Sequence, residues 1–221
     1  ARALQDDQPG PEQPLPATLT DLVRRRIAAL DDAERALLLS VACLADPTIE
    51  LLAKANDVDA DELARRVERA EAAGILGLDG YRVRFTHPLL ASGVYSDAGP
   101  PARRAMHRRL AALETQPELR ARHLALAAAH GDEEILTALD QAADSARSRG
   151  APAAAAELVD LALGLGGDTV LRRMKSAENH FLAGNTARAG ALLADAATME
   201  PGMLRAMATS LLAGAAGYAG A

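Results

Sequence analysis

The chain has 221 residues with a formal net charge of -6, and 49% of its residues are hydrophobic while only 2% are aromatic. This acidic balance disfavours a surface for nucleic acid or anionic membranes, and without an uncharged apolar run of about 18 residues no transmembrane helix is predicted. The single cysteine, Cys43, cannot form an internal disulfide and fits a reducing compartment, so we expect a cytoplasmic protein. Frequent alanines, which favour helix and pack closely, predict tightly stacked helices.

The beginning of the chain predicts a linker followed by helices. Residues 1–16 contain four prolines among polar residues and are interpreted as a linker. A helix is expected from Thr18 to about Leu30, because its apolar residues follow the helical period. Asp31 and Glu34 then have the spacing of a capping box, which predicts a second helix whose apolar run, residues 36–44, is buried.

Two more short helices are predicted next. The first covers about Ile49–Ala55. The second covers Glu62–Ala73 and has either Asp59 or Asp61 as its N-cap, since a short acidic side chain accepts hydrogen bonds from the first free N–H groups. Gly74 follows in a position suited to a left-handed helix stop.

The segment after this stop is the only part of the sequence that predicts β-structure. Two short apolar runs, Ile75–Leu78 and Tyr81–Thr86, flank Asp79-Gly80, a dipeptide typical of tight hairpins with positive φ at both central residues. The second run alternates two faces, with Tyr81, Val83 and Phe85 on one and Arg82 and Arg84 on the other. Three helices followed by this hairpin predict a winged-helix domain over residues 17–98.

Winged helices often bind DNA, and the helix before the hairpin bears on this role. Residues 59–72 carry five acidic and three basic side chains, so the helix that would enter the major groove has a net charge of -2. This charge opposes the phosphate backbone, and we expect no direct DNA contact from this domain. A protein-contact role for the winged helix is favoured instead.

Residues 99–135 are predicted to form connecting helices, and a short helix over Pro88–Tyr95 precedes them. One connecting helix, Ala102–Leu113, is strongly basic, and another is expected from Pro117 to about Ala129. The basic side chains are those of Arg103, Arg104, His107, Arg108 and Arg109. We interpret the charged side of the basic helix as a solvated or interdomain face.

Residues 136–221 predict tetratricopeptide-like repeats, the last of them truncated. Aligning Leu139–Gly167 with Arg173–Pro201, at an offset of 34 residues, superposes small residues. The matched pairs are Gly150 with Gly184, Ala143 with Ala177, Ala155 with Ala189, and Ala162 with Ala196. A 34-residue period of this kind is typical of two helices joined by a glycine turn. The expected fold class is therefore mainly α, with a winged-helix domain containing one β-hairpin followed by a tetratricopeptide-like α-helical array.

Three segments together resemble one protein family. RFTHPLLASGVY, the basic helix PARRAMHRRLAAL and the stretch RARHLALAAAHGDEEILTALDQAADSARSRGAPAAAAELVDLAL are similar to the middle of large ATP-binding LuxR-type transcriptional regulators of actinobacteria. The resemblance covers roughly residues 15 to 200. Its most specific parts are Phe85–Leu90 and Arg149–Ala154.

The resemblance implies that this chain is a central fragment of a longer regulator. A P-loop ATPase of the signal-transduction type would precede it and bind ATP or ADP, and a DNA-binding helix-turn-helix domain would follow it. These domains are the expected partners, together with a protein or small-molecule effector at the repeats and no membrane. The sequence has no G-x-x-x-x-G-K-[ST] run and no basic C-terminal helix-turn-helix, so neither ATPase activity nor DNA binding is assigned to this chain.

His87 is the candidate site residue. In signal-transduction ATPases similar to this family, a winged-helix histidine at the matching place contacts the phosphates of bound ADP, and the resemblance implies this role for His87 in the full-length protein. An imidazole N–H can donate such a hydrogen bond. The alternative from the residues alone is that His87 caps its own helix through a side-chain hydrogen bond before Pro88.

No other residues form a recognisable catalytic or metal site, and we predict neither enzyme activity nor a metal for this chain. The remaining histidines are scattered, Cys43 has no neighbouring ligand in the sequence, and no serine lies in a G-x-S-x-G context. Two functions remain open. The chain is either a regulatory, signal-receiving segment of a transcriptional regulator or a stand-alone helical-repeat scaffold that binds a peptide or protein.

Overall fold

The structure, a computed structural model, describes residues 30–198 and 200–219. The described part is mainly helical and has one small two-stranded antiparallel sheet, which confirms the predicted mainly-α class. It divides into two compact units, with the division between Arg109 and Leu110. The predicted linker, residues 1–16, and the predicted helix that begins at Thr18 lie outside the described residues, apart from Leu30.

The described residues that lie wholly within the first unit form four helices and the hairpin. In chain order these are α1 (Asp32–Ala42), α2 (Ile49–Asn56), α3 (Ala60–Ala72), β1 (Leu76–Asp79), β2 (Arg82–Phe85) and α4 (Pro88–Asp97). Helix α5 (Pro100–Leu113) follows and contains the division between the units. Across the described ranges, no helix combines the length and the apolar character that crossing a membrane requires.

The second unit is helical throughout its described residues. It contains α6 (Pro117–Ala127), α7 (Glu133–Ser148), α8 (Pro152–Gly164), α9 (Val170–Leu182), α10 (Thr186–Leu192), a 3₁₀ turn (Ala196–Thr198) and α11 (Met203–Ala219). Consecutive helices are joined by short connections, so neighbours along the chain pack against one another.

The predicted helix caps are present. The Glu34 N–H donates to Asp31 Oδ1 at 2.7 Å and the Asp31 N–H donates to Glu34 Oε2 at 3.2 Å, which completes the capping box of α1. At the start of α3 the Glu62 N–H donates to Asp59 Oδ1 at 2.7 Å. The structure therefore selects Asp59, rather than Asp61, as the cap of this helix.

The hairpin forms, but its turn lies one residue later than predicted. Asp79 pairs with Arg82, so the two turn residues are Gly80 and Tyr81, and of these two only Gly80 has a positive φ, at 63°. Glycine at the first turn position is the pattern of a type II′ turn, which does not need positive φ at its second residue. Tyr81 is consequently 66% exposed in the turn, whereas Val83 alone of the alternating residues is fully buried.

A third segment pairs with the hairpin, and the sequence analysis did not predict it. The Val83 N–H donates to the Pro47 carbonyl at 2.8 Å, and the Ile49 N–H donates to the Tyr81 carbonyl at 3.3 Å. Thr48 forms the bridge partner of Arg82. The connection between α1 and α2 therefore fixes the hairpin against the helical part of the unit, because these backbone groups satisfy one another.

The core of the first unit lies between its helices and the hairpin. Helices α1, α2 and α3 and strand β2 all contribute side chains that are at most 1% exposed: Leu37, Leu38, Leu52, Leu63, Val67 and Val83. Removing such apolar surface from water is the main favourable term in folding. The hairpin is thus held by apolar contact as well as by backbone hydrogen bonds.

The second unit contains two helix pairs whose small residues match at an offset of 34 residues. Gly150 and Gly184 follow α7 and α9 with φ of 79° and 84°, and helices α8 and α10 begin two residues later in each pair. The matched alanines are all at most 2% exposed: Ala143 and Ala177, Ala155 and Ala189, and Ala162 and Ala196. Small side chains at these points allow the paired helices to approach closely.

Three ion pairs connect α7 to α9. They join Asp140 to Arg172 at 2.8 Å, Asp144 to Lys175 at 3.0 Å, and Arg147 to Glu178 at 2.5 Å. The side chains are partly exposed, so each pair contributes no more than about 1 kcal/mol to stability. Their spacing places them in a row along the two helices.

Gly150→Ala and Gly184→Ala are each expected to lower the free energy of unfolding by about 1 kcal/mol. The cause is backbone strain alone, because a Cβ at either position meets no atom within 4 Å. Urea unfolding followed by circular dichroism measures the effect. Gly164→Ala is the control, since Gly164 lies in α8 without a positive φ and its Cβ also meets no atom. A loss as large as that of Gly150→Ala in the control would contradict the strain argument.

Candidate functional site

His87 lies at the corner between β2 and α4 and is the N-cap of that helix. Its backbone is extended, with φ of -147° and ψ of 136°, and Pro88 occupies the first helical position. The Leu89 N–H donates to His87 Nδ1 at 3.1 Å. The capping role that the residues alone suggested is therefore present in the structure.

The cap determines what the rest of the imidazole can do. Because Nδ1 accepts a hydrogen bond, the proton of the neutral ring is on Nε2. The side chain is exposed, so this N–H is available to an acceptor outside the corner. The cap also fixes the direction of the ring, and the two nitrogens of His87 have separate roles.

A second polar cluster lies in the first unit and was missed by the sequence analysis. His107 Nε2 lies 3.0 Å from the Tyr95 hydroxyl and 3.8 Å from Cys43 Sγ. The guanidinium of Arg103 lies over the Tyr95 ring, 5.1 Å from its centroid. The sequence analysis found no ligand near Cys43 along the chain, and the fold places the His107 imidazole beside it. Cys43 and His107 are 64 residues apart in sequence, and only packing brings them together.

This cluster does not contain an activated nucleophile. Burial raises the pKa of the Cys43 thiol to about 12, and the nearby Arg103 charge offsets only part of that effect. Cysteine reacts as the thiolate, so a thiol that stays protonated is inert. Among the residues that the structure describes, no group of three or more histidine, cysteine or acidic side chains is arranged to hold a metal ion.

Asp160 is the centre of a polar network in the second unit. It accepts a hydrogen bond from Ser176 Oγ at 2.5 Å, and its other oxygen lies 3.1 Å from His180 Nε2 and 3.3 Å from the Arg188 guanidinium. Burial alone would raise the pKa of Asp160, but hydrogen bonds from Ser176 and His180 and the Arg188 charge outweigh it and lower that pKa below its usual value. The network joins α8, α9 and α10.

The network combines a serine, a histidine and an aspartate, yet its connectivity differs from that of a nucleophilic triad. In a triad the histidine contacts the serine and the aspartate orients the histidine. Here Ser176 donates directly to the carboxylate and is fully buried. The arrangement holds three helices together, and His180 contacts the second carboxylate oxygen rather than the Ser176 hydroxyl.

An open groove of about 520 Å³ lies between α6 and α8. Its lining is mainly apolar and includes Leu126, Leu161 and Leu165, with Asp160 among the charged residues. At its rim Arg122 donates to Glu157 at 2.6 Å. A mainly apolar groove with a few charged side chains is a candidate binding site.

Comparisons with protein-family models, with curated proteins and with solved structures each returned no match for this chain. The resemblance to LuxR-type regulators therefore remains a prediction from the sequence.

Cys43 is expected to react very slowly in the native protein. Raising its pKa from 9.0 to about 12 lowers the thiolate fraction near pH 8 by roughly a factor of a thousand. The rate of reaction with a chromogenic disulfide reagent at pH 8 measures this directly, because the chain has one cysteine. The same chain in concentrated guanidinium is the control. A native rate within tenfold of the unfolded rate would contradict the burial argument.

Asp160→Asn is expected to lower the free energy of unfolding at pH 7 by about 1–3 kcal/mol, since the substitution removes a charged acceptor from three partners. The pKa of Asp160 is lower in the folded state than in the unfolded state. The stabilisation is therefore complete at pH values above the unfolded-state pKa, and it is lost as the pH falls through the folded-state pKa. Urea unfolding at pH 7 and near pH 3 measures the difference, which is expected to shrink at the lower pH. Asp144→Asn, in an exposed ion pair, is the matched control, and an equal loss there would refute the special role of Asp160.

Proposed function

We propose that this chain is the central regulatory and signal-receiving segment of a multidomain, ATP-dependent transcriptional regulator of the LuxR type. It acts by protein or ligand contact and by coupling between domains, in the cytoplasm and without catalysis of its own. The observation that carries this proposal is the geometry of His87, whose Nδ1 is used by the helix cap while Nε2–H remains available.

The first part of the proposed architecture is a winged helix that ends near residue 98. Its support is the order of α1, α2, α3 and the hairpin, together with the pairing of residues 47–49 with that hairpin. The pairing gives the hairpin a fixed place beside the three helices, as a wing requires. Next to His87, the Thr86 N–H donates to the Ile75 carbonyl at 3.0 Å.

The second part of the proposed architecture is a tetratricopeptide-like array. Its support is the 34-residue offset between Gly150 and Gly184, which recurs in their left-handed backbone and in the burial of the matched alanines. Repeat arrays of this kind stack helix pairs and present extended surfaces to partners. An effector that binds here would change the packing between pairs.

Among the described residues, the imidazole of His87 offers a contact to a nucleotide. ADP, when bound, supplies phosphate oxygens that accept hydrogen bonds, and the exposed Nε2–H of His87 is a suitable donor. The sequence has no glycine-rich lysine loop to hold the nucleotide itself. We therefore place the nucleotide-binding residues in another domain of the natural protein and give His87 the role of sensing the bound phosphate.

Direct DNA contact is not part of this proposal. Helix α3, which would enter the major groove in a DNA-binding winged helix, has exposed acidic side chains at Asp61, Glu68 and Glu71. These carboxylates would lie against the phosphate backbone and repel it. We assign DNA binding to a separate domain of the regulator.

The groove between α6 and α8 supports a second candidate function, a stand-alone repeat scaffold that binds a peptide. Its mainly apolar lining would accept hydrophobic side chains, and the Arg122–Glu157 pair at its rim would contact polar ones. This function needs no nucleotide. It predicts that substitution of His87 changes neither nucleotide affinity nor any output of the full-length protein.

His87→Asn in the full-length protein separates the two roles of the imidazole. Asparagine is a good N-cap and can accept the Leu89 N–H, but it lacks the ring N–H at the position of Nε2. We expect ADP affinity, measured by calorimetry, to fall about tenfold while the melting temperature stays unchanged, because one hydrogen bond to a charged group is lost. His87→Ala should lower both the ADP affinity and the melting temperature. Unchanged ADP affinity in His87→Asn would reject phosphate sensing and favour the scaffold.

A further inference from the structure

Most arginines in the described part of the chain have a carboxylate partner. Examples are Arg66 with Glu62 at 2.9 Å, Arg122 with Glu157 at 2.6 Å, and Arg172 with Asp140 at 2.8 Å. The protein has more acidic than basic side chains, so such partners are abundant. An arginine without one is therefore the exception in this structure.

Four such exceptions lie on one helix, α5. No ion pair in the described ranges involves Arg104, Arg108 or Arg109 of α5, and the helix itself contains no acidic residue from Pro100 to Leu113. Arg108 and Arg109 are exposed and Arg104 is half-buried. The other arginine of the helix, Arg103, lies over the Tyr95 ring. A concentrated positive charge thus faces solvent on an otherwise acidic protein.

The arginines of α5 flank a small, exposed alanine. Arg104 and Arg108 are one turn apart, and Ala105 and Arg109 are one turn apart beside them. At 100° per residue, exposed Ala105 lies between Arg108 and Arg109 around the helix axis. On the exposed side of α5, the small side chain of Ala105 therefore lies between longer arginine side chains. We call Arg104, Ala105, Arg108 and Arg109 together the α5 basic face.

We propose that the α5 basic face binds an acidic helical segment of a partner protein. The small side chain of Ala105 allows a partner helix to approach closely. The guanidinium groups on both sides of it pair with carboxylates that the partner helix presents one turn apart. Nucleic acid fits less well, because three cationic side chains supply few phosphate contacts and the face itself includes no aromatic ring for a base to stack on. The inference goes beyond the nucleotide-dependent function, since it needs no nucleotide.

A fluorescein-labelled peptide tests the proposal with the chain as it exists. The probe has 20 residues, alanine with glutamate at every fourth position, and the matched peptide has glutamine in place of glutamate. Fluorescence anisotropy at low salt should show binding of the glutamate peptide only. Arg104→Gln/Arg108→Gln should weaken that binding at least tenfold, and Arg108→Gln alone at least threefold. Circular dichroism verifies that each variant is folded.

Arg120→Gln is the matched control, because Arg120 is an exposed arginine on α6 that likewise lies in no described ion pair. It should change the affinity less than twofold. Equal weakening by Arg120→Gln and Arg108→Gln would reduce the effect to net charge and overturn the proposal. Binding of both peptides alike, or of neither, would also overturn it. Tighter binding of single-stranded or duplex DNA of 20 nucleotides per strand than of the glutamate peptide would replace the protein partner with nucleic acid.

Discussion

Close contact between helices through alanine is the constraint on which the second unit depends. Ala146, Ala155 and Ala162 have no exposed surface, and the chain has almost no aromatic residues to fill wider gaps. Helices in such a unit approach closely or leave voids, and voids cost stability. Each alanine also contributes little apolar area, so polar links such as the Asp160 network add to what the small core supplies. The unit is therefore closely packed and has several charged connections between its helices.

Local signals in the sequence located some of the helix ends. Asp31 and Glu34 cap α1, and Gly150 and Gly184 end their helices in the left-handed region, because both features depend on residues a few positions apart. The turn of the hairpin was predicted one residue early, since Asp79-Gly80 matches a common turn but the pairing of Asp79 with Arg82 leaves Gly80 first in the loop. Strand pairing, unlike a cap, depends on what the whole strand buries.

Contacts between distant segments could not be predicted in the same way. The bridge at Thr48 and the approach of Cys43 to His107 depend on how α1, α5 and the hairpin pack, and no local pattern encodes them. For His87, one of its two roles could be predicted from local sequence. Its capping role followed from the residue before Pro88, whereas the phosphate contact came only from a family resemblance and stays a prediction. The structure makes the two interpretations compatible, because the cap uses one ring nitrogen and leaves the other.

The row of ion pairs between α7 and α9 has a polarity that reverses along its length. Asp140 and Asp144 of α7 face Arg172 and Lys175, but the last pair has Arg147 on α7 and Glu178 on α9. If α9 slid by one turn in one direction, Lys175 would face Arg147. In the other direction Glu178 would face Asp144. Either displacement puts like charges together, so exposed pairs that add little stability still discriminate against misaligned packing of two alanine-rich helices.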